Sequence, residues 1–275
     1  MKSIAVLLTC HNRRDKTLAC LYSFYNAIHP DNFSFEIFLV DDGSTDETSQ
    51  AIKEKFPQIN IIQGSGNLYW NRGMHLAWKT AISVKEYNYY LWLNDDVIID
   101  TNGLINLIND SKENPDSIIC GVMQSALEKD RITYGGKNIE GKLIEPTGKP
   151  LPCKYINGNM VLIPNSIVKN IGILDPLYPH AIGDYEYGLR AIKYGNQCFI
   201  SSYFTGFCEN NSSLPKWCLS NVKFLDRLES LYSPLGNSHP YYFFIYEYKY
   251  HGLLVALKHY ITIHLRVLYP TLWKI

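Results

Sequence analysis

Leu91-Trp92-Leu93-Asn94-Asp95-Asp96-Val97-Ile98-Ile99-Asp100 is an apolar run broken by a short acidic step. Residues 89–93 have the length and aromatic, Leu-rich character of a buried strand, so Asp95 and Asp96 emerge where that strand ends. In open α/β sheets this rim is where ligands bind. Carboxylates placed there cost desolvation energy unless a cation meets them. A hard divalent metal, Mg2+ or Mn2+, shared with the oxygens of a phosphorylated ligand would supply that cation. A turn in which Asn94 and the Asp pair cap a helix starting near Thr101 accounts for the same letters. The rest of the chain has to decide between them.

Outward from this stretch, short apolar runs over 3–9, 35–40, 60–62 and 89–93 alternate with helix-spaced segments over 14–27, 48–56 and 70–84. That alternation predicts an α/β fold with a parallel sheet covered on both faces. Further strands are expected at 118–123 and within 154–163, and helices at 165–173 and 183–194. Between them, 131–152 is rich in Gly, Pro and Lys and reads as a hairpin excursion.

Bulk composition excludes several classes. Lys plus Arg and Asp plus Glu are equal at 26 each in 275 residues, so no global basic field points to nucleic acid. Seven scattered cysteines without a C-x-x-C pair suit buried thiols in a reducing, cytoplasmic setting. The apolar residues 4–8 run at once into His11-Asn12-Arg13-Arg14-Asp15, which fits a first strand better than a signal peptide. No charge-free apolar run approaches the ~20 residues that cross a bilayer.

Two more acidic clusters follow strands or open helices. Asp41-Asp42-Gly43-Ser44-Thr45-Asp46 follows the second strand, where an exposed carboxylate can accept from a base N–H or a ribose hydroxyl. Asp184, in Gly183-Asp184-Tyr185-Glu186, stands at a helix start whose dipole favours its ionised form, and Arg190 is placed to pair back along that helix. A solvated turn and idle first-turn acids are the plainer readings of these two clusters. Asn67-Leu68-Tyr69-Trp70-Asn71-Arg72-Gly73-Met74 places an Arg and amides at a helix start suited to anionic oxygen, with Trp70 as a wall for a sugar and Trp78 as core. Gly64-Ser65-Gly66 lacks the third glycine of a dinucleotide fingerprint, which would fall at Tyr69.

Taken in order, these motifs resemble the inverting family-2 glycosyltransferases with the GT-A fold, over about residues 3–210. Thr9-Cys10-His11-Asn12-Arg13 is similar to that family's opening, Asp41-Asp42-Gly43-Ser44 to its nucleotide-base site and Asn94-Asp95-Asp96 to its D-x-D metal site. Asn157-Gly158-Asn159-Met160-Val161-Leu162-Ile163 resembles its acceptor-side strand, Ile173-Leu174-Asp175 the motif before the base, and Asp184 the base itself. Within the family, Asn67 to Met74 and the C-terminal tail resemble those of bacterial rhamnosyl- and galactofuranosyltransferases that build surface polysaccharides.

The resemblance implies a mostly parallel central sheet flanked by helices, a nucleotide-diphosphate sugar donor, a divalent metal and a glycan or lipid-linked glycan acceptor. With the reading above, it assigns donor contacts to Thr9, Asn12, Arg13, Asp41, Asp42, Asn67, Trp70, Arg72 and Asp95. Acceptor contacts fall to Asn157, Gly158, Asn159, His180 and Glu186, and the metal to Asp96. Position 94 is Asn where many relatives carry an acid, and Phe207-Cys208-Glu209-Asn210 stands where relatives carry a metal-binding His. Glu209 is the expected oxygen-donor substitute. The implied chemistry is a single displacement with Asp184 as general base. A catalytically silent sugar- or nucleotide-binding protein on the same fold is the alternative.

Residues 216–275 depart from this pattern. They are helical and aromatic in character and carry seven Lys or Arg against three Asp or Glu. We expect a catalytic domain over 1–215 and a helical extension over 216–275 that meets the inner membrane surface or a second copy of the chain.

Overall fold

The apolar runs of the first hundred residues become strands β1 (Lys2–Cys10), β2 (Phe33–Asp41), β3 (Asn60–Gln63) and β4 (Tyr89–Leu93) in a computed structural model that describes residues 1–210, 214–236 and 238–273. Helices α1 (Arg14–Asn26), α2 (Thr48–Lys55) and α3 (Tyr69–Val84) connect them. The four strands are mutually parallel, in the order β3-β2-β1-β4. Ile4 to Leu8 are fully buried on both faces of the sheet. Val6 and Leu8 pack with Leu21 and Phe24 of α1, while Leu7 packs with Met74, Ala77 and Trp78 of α3. Burial on both faces is why β1 reads as a continuous apolar run, without alternation.

The sheet continues through β5 (Ile98–Ile99), β6 (Ser117–Gln124), β9 (Met160–Pro164) and β10 (Gln197–Phe207). Beyond β4 it is mixed, because β9 runs antiparallel to both β4 and β6. The excursion at 131–152 forms β7 (Ile132–Tyr134) and β8 (Leu151–Pro152), which pair along β6 and β10. Helices α4 (Gly103–Glu113), α5 (Asn165–Ile171) and α6 (Gly183–Lys193) cover this half.

This topology sets the site. Cys10 pairs with Asp41, and Leu7 with Trp92, so the loops after β1, β2 and β4 leave the sheet at one edge. That edge is the carboxyl end of parallel strands, as expected from the acidic run after β4.

The C-terminal segment contributes α7 (Phe224–Leu231), α8 (Pro240–His251) and α9 (Leu253–Leu268). Of the expected 216–275 extension, residues 237, 274 and 275 lie outside the described residues. Trp217, Leu231, Ile263 and Val267 form a small core joining α7 to α9. Helix α8 packs inward instead, with Tyr246 buried among Tyr178, Ile182 and Leu189. The composition shift at 216 therefore marks a change of layer, and α8 shares a buried cluster with α6. Among the described residues, no helix is long and apolar enough to cross a membrane.

Candidate active site

A cavity of about 420 Å³ opens at the carboxyl edge of the sheet, with Thr9, Arg13, Asp42, Tyr69, Trp70, Asp95 and His180 in its walls. Strands β1, β2 and β4 each contribute through the loop that follows them, and α3 contributes its first turn. Leu235, in the turn between α7 and α8, reaches the same cavity. The sequence motifs gave no hint of that contact.

The two carboxylates after β2 separate in role. Asp41 turns inward, accepting from the Ser44 N–H at 2.9 Å and from the Ser49 hydroxyl. Asp42 faces the cavity and holds the 66–69 turn, accepting from the N–H groups of Gly66 (2.7 Å), Leu68 (2.8 Å) and Tyr69 (3.0 Å). A Cβ on Gly64 would stand 2.6 Å from an Asp42 oxygen, so the glycines there serve this close approach. Asn12 staples the first two loops, donating its N–H to Ser44 Oγ and accepting the Thr45 N–H at 2.7 Å. Asn67 is exposed on the turn. Arg72 donates to the carbonyls of Pro176 and Leu177, which holds the loop before α6 against α3. Asn71, one of the amides expected to meet anionic oxygen, instead does the same more deeply: it is fully buried and donates to the carbonyls of Asp175 and Tyr178. His180 thereby sits over α3 and accepts the Trp70 N–H at 3.3 Å. Burial, and then the charge of Arg13, lower its pKa and keep its ring neutral.

The acidic step after β4 meets a cation from the protein itself. One Arg13 nitrogen lies 3.2 Å from Asp95 Oδ1 and 2.9 Å from Asp96 Oδ2. Burial pushes Asp95 up to about 6, against the opposing pull of Arg13. Asp96 is about a quarter exposed. On its other side Cys208 Sγ stands 3.8 Å from Asp96 Oδ1, and burial together with that carboxylate pushes the thiol up to about 12. A protonated thiol is a poor ligand for a hard cation.

Glu209, the expected oxygen donor, points to the β6–β7 turn. It accepts from the Ser125 hydroxyl, from the Ala126 N–H at 2.6 Å and from Arg131 at 3.1 Å. Among the described residues, no group of three or more His, Cys, Asp and Glu side chains is arranged to hold a metal. The donor set fits a Mg2+-like ion in the manner that leaves most positions to substrate and water, with Asp96 and Asp95 as the protein's share.

Asp184 does not line this cavity but is linked to its Trp70 wall through a chain of contacts. Its Oδ2 accepts the Gly158 N–H at 3.0 Å, and its Oδ1 accepts the Tyr185 N–H at 2.8 Å. A Cβ on Gly158 would fall 2.4 Å from Cζ2 of Trp70, so the indole lies directly against that glycine. Trp70 Nε1 donates to Asn94 Oδ1 at 2.6 Å, and Asn94 Nδ2 donates to Asn159 Oδ1 at 2.6 Å. The asparagine at position 94 thus ties β4, α3 and the 157–159 segment together. Burial outweighs the backbone hydrogen bonds from Tyr185 and Gly158, and it pushes Asp184 up to about 6. Both helix starts at the cavity are strained: Tyr69 opens α3 with φ 58° and Ile182 precedes α6 with φ 78°. Non-glycine residues hold such angles where surrounding structure over-determines them, and such positions cluster at functional sites.

Glu186, expected on the acceptor side, has no exposed surface. Its carboxylate accepts from Arg190 at 3.0 Å, Lys249 at 2.7 Å and the Tyr250 hydroxyl at 2.8 Å, which clamps α8 onto α6. Arg190 pairs back along the helix as expected, to Glu186.

Poly-beta-1,6-N-acetyl-D-glucosamine synthase of Staphylococcus epidermidis is 29% identical over 122 residues, which is 42% of this chain and 27% of that protein. Poly(ribitol-phosphate) beta-glucosyltransferase of Bacillus spizizenii is 28% identical over 207 residues, covering 72% of this chain and 31% of that protein. The chain thus spans under a third of the length of these curated relatives. Among solved structures, S. aureus TarS 1-349 superposes with a TM-score of 0.58 at 14% identity, over 96% of this chain and 81% of that one. The mannosyltransferase PcManGT from Pyrobaculum calidifontis, solved with GDP-Man and Mn2+, gives 0.56 at 13% identity, over 98% and 81%. At such identities the likeness is one of fold, and the fold is GT-A. A model described as glycosyl transferase family 2 matches residues 5–171, more than half of the 275. That match runs from β1 through α5 and takes in every strand end that faces the cavity: the chain belongs to glycosyl transferase family 2.

Proposed function

We propose that this chain transfers a sugar from a nucleotide-diphosphate donor to a hydroxyl of a glycan or lipid-linked glycan, with inversion, in the building of a surface polysaccharide. The observation that carries this reading is the meeting of three sequence-distant acidic sites. Asp42 and Asp95 line one cavity, Asp96 shares Arg13 with Asp95, and Asp184 is bonded to the glycine on which the cavity wall Trp70 rests. PcManGT was solved with GDP-Man and Mn2+, and TarS 1-349 with UDP-GlcNAc, which supports a nucleotide-sugar donor here.

In this reading Asp42 and the 66–69 turn seat the nucleoside, and Trp70 walls the sugar. Asp184, ionised, takes the proton of the acceptor hydroxyl. The freed oxygen forms the new bond to the anomeric carbon, and the bond to the diphosphate breaks with its electron pair leaving on the nucleoside diphosphate. Asp96 with Asp95 would hold a divalent metal, which when bound offsets negative charge on the departing diphosphate. Arg13 holds those carboxylates otherwise and is poised beside the diphosphate position. Asn159 Nδ2, buried and without a protein partner among the described residues, is a donor of the kind a ligand oxygen satisfies. Seven free, buried cysteines support a reducing, cytoplasmic setting.

The test is a panel of nucleotide sugars with Mn2+ or Mg2+, read first by thermal stabilisation and then by nucleoside diphosphate release. The expected result is stabilisation by one donor and metal-dependent release that Asp96→Ala abolishes. Absence of stabilisation by every donor would overturn the reading, and tight binding without turnover would leave a binding protein.

A further inference from the structure

We propose that the outward face of α8 and α9 is a docking surface for an anionic lipid bilayer. Helix α9 carries apolar residues on two separate sides. Ala256, Ile263 and Val267 are buried against the rest of the protein. At ~100° per residue, Leu253, Leu257, Leu268, Ile261, Leu254 and Leu265 fall within about 120° on the other side. All six are exposed, from 42% at Leu257 to 82% at Leu254. On α8, Tyr241 and Tyr248 are 57% and 58% exposed. The edge contact of Phe244 with Tyr260, ring centroids 5.9 Å apart, joins the two helices. An apolar face of this extent in water marks an interaction site.

Charge selects the occupant. Across α8 and α9 the one acid is Glu247, which is buried, while Lys249, Lys258 and Arg266 are the cations. Where α8 ends, a second cavity of about 540 Å³ between α6 and α8 is lined by Lys154, Lys193, Lys249 and His251. Lys249 there also faces Glu186, which leaves Lys154 and Lys193 as further cations near the end of α8. A second copy would offer the cations of this patch no exposed acid of α8 or α9 as a partner, because a twofold contact repeats the same patch on both sides. An anionic bilayer satisfies both features at once: apolar side chains enter the acyl boundary and the cations meet headgroups. Tyrosines at the margin suit that boundary.

The consequence deepens the proposed transfer and rests on it. Lys249 and Tyr250 of α8 grip Glu186, two residues from Asp184, so docking would present the Asp184 side of the cavity to acceptors held at a lipid surface.

The experiment is co-sedimentation of the full chain with vesicles of phosphatidylcholine alone, or of equal parts phosphatidylcholine and phosphatidylglycerol. Retention on the mixed vesicles that falls as salt rises is expected. Leu254→Glu with Ile261→Glu, both at exposed positions, should lower that partitioning at least tenfold while leaving the thermal melt unchanged. No retention at low salt overturns the proposal. So does a concentration-dependent dimer in analytical ultracentrifugation that the same variant dissolves. Donor-induced stabilisation is measured on the same samples: a donor response without vesicle retention sinks the docking surface alone, and retention without any donor response sinks the transfer reading.

Discussion

Asp184 accepts the backbone N–H of Gly158 at 3.0 Å, and the carboxylate is thereby fixed against the same glycine that supports Trp70. Asp184→Asn keeps one of its two accepted bonds, the amide oxygen taking the Gly158 N–H while the NH2 group gives up the Tyr185 N–H, and it removes the proposed base. Turnover with donor and acceptor should fall about 10²–10⁴-fold while donor stabilisation persists. Retained turnover would place the base elsewhere.

Burial pushes Asp184 up to about 6, and the working form of a general base is the carboxylate. kcat/KM should therefore fall about tenfold per unit as pH drops below about 6. Because the folded value lies above the ordinary 3.8, this group stabilises the fold most at low pH and loses that contribution as pH rises through 6. Asp95 is also pushed up to about 6, so the acid limb has two candidates. The limb should survive in Asp95→Asn and vanish from the residual rate of Asp184→Asn.

Gly158→Ala tests the wall of the cavity. The new methyl group would stand 2.4 Å from the Trp70 ring, which must move. Overpacking of this kind costs about 1–3 kcal/mol, read as a lower unfolding midpoint. Donor affinity should fall together with stability. Asn94→Ala, which removes the acceptor of Trp70 Nε1 and leaves Gly158 untouched, should weaken donor binding in the same direction.

Glu186 is a fastener in this structure, with Arg190, Lys249 and Tyr250 on one buried carboxylate. Glu186→Gln leaves two cations sharing a neutral amide. Breaking a buried pair in this way costs about 3–5 kcal/mol, so urea unfolding should shift by that amount. An unchanged midpoint would mean that α8 is held by its apolar contacts alone.

The sequence made the strand ends legible, since short apolar runs in an alternating chain mark both the strands and the edge where their acids emerge. Asp42, Asp95 and Asp96 were read that way, and Asp184 was read from the helix it opens. What stayed hidden depends on register and on distant packing. β10 is irregular between Ile200 and Gly206, so counting along it cannot tell that Cys208 faces Asp96 and Glu209 turns to the β6–β7 loop. Glu186 lies two residues from Asp184, and only the docking of α8, about sixty residues later in the chain, decides that it is buried. Asp41 and Asp42 are neighbours whose opposite directions follow from the turn at 64–69. The antiparallel course of β9 was equally unreadable, because a buried strand looks alike in either direction.

Arg13 lies where a metal would have to be admitted, and this gives the last prediction. Its guanidinium holds Asp95 and Asp96 at 3.2 and 2.9 Å, so a metal entering without donor must first displace it. Charge-assisted hydrogen bonds of this type contribute about 1.5–3 kcal/mol, although the partial exposure of Arg13 and Asp96 puts this pair toward the low end. Arg13→Met should therefore let the donor-free protein bind Mn2+ about tenfold more tightly, by titration followed through the free Mn2+ electron paramagnetic resonance signal. With donor present the sign reverses, because the variant lacks a cation beside the diphosphate, and donor affinity at saturating Mn2+ should drop. Tighter metal binding together with weaker donor binding identifies Arg13 as a resident cation that passes from the carboxylates to the substrate. Weaker Mn2+ binding in the donor-free variant would show instead that Arg13 orients the two carboxylates for the metal.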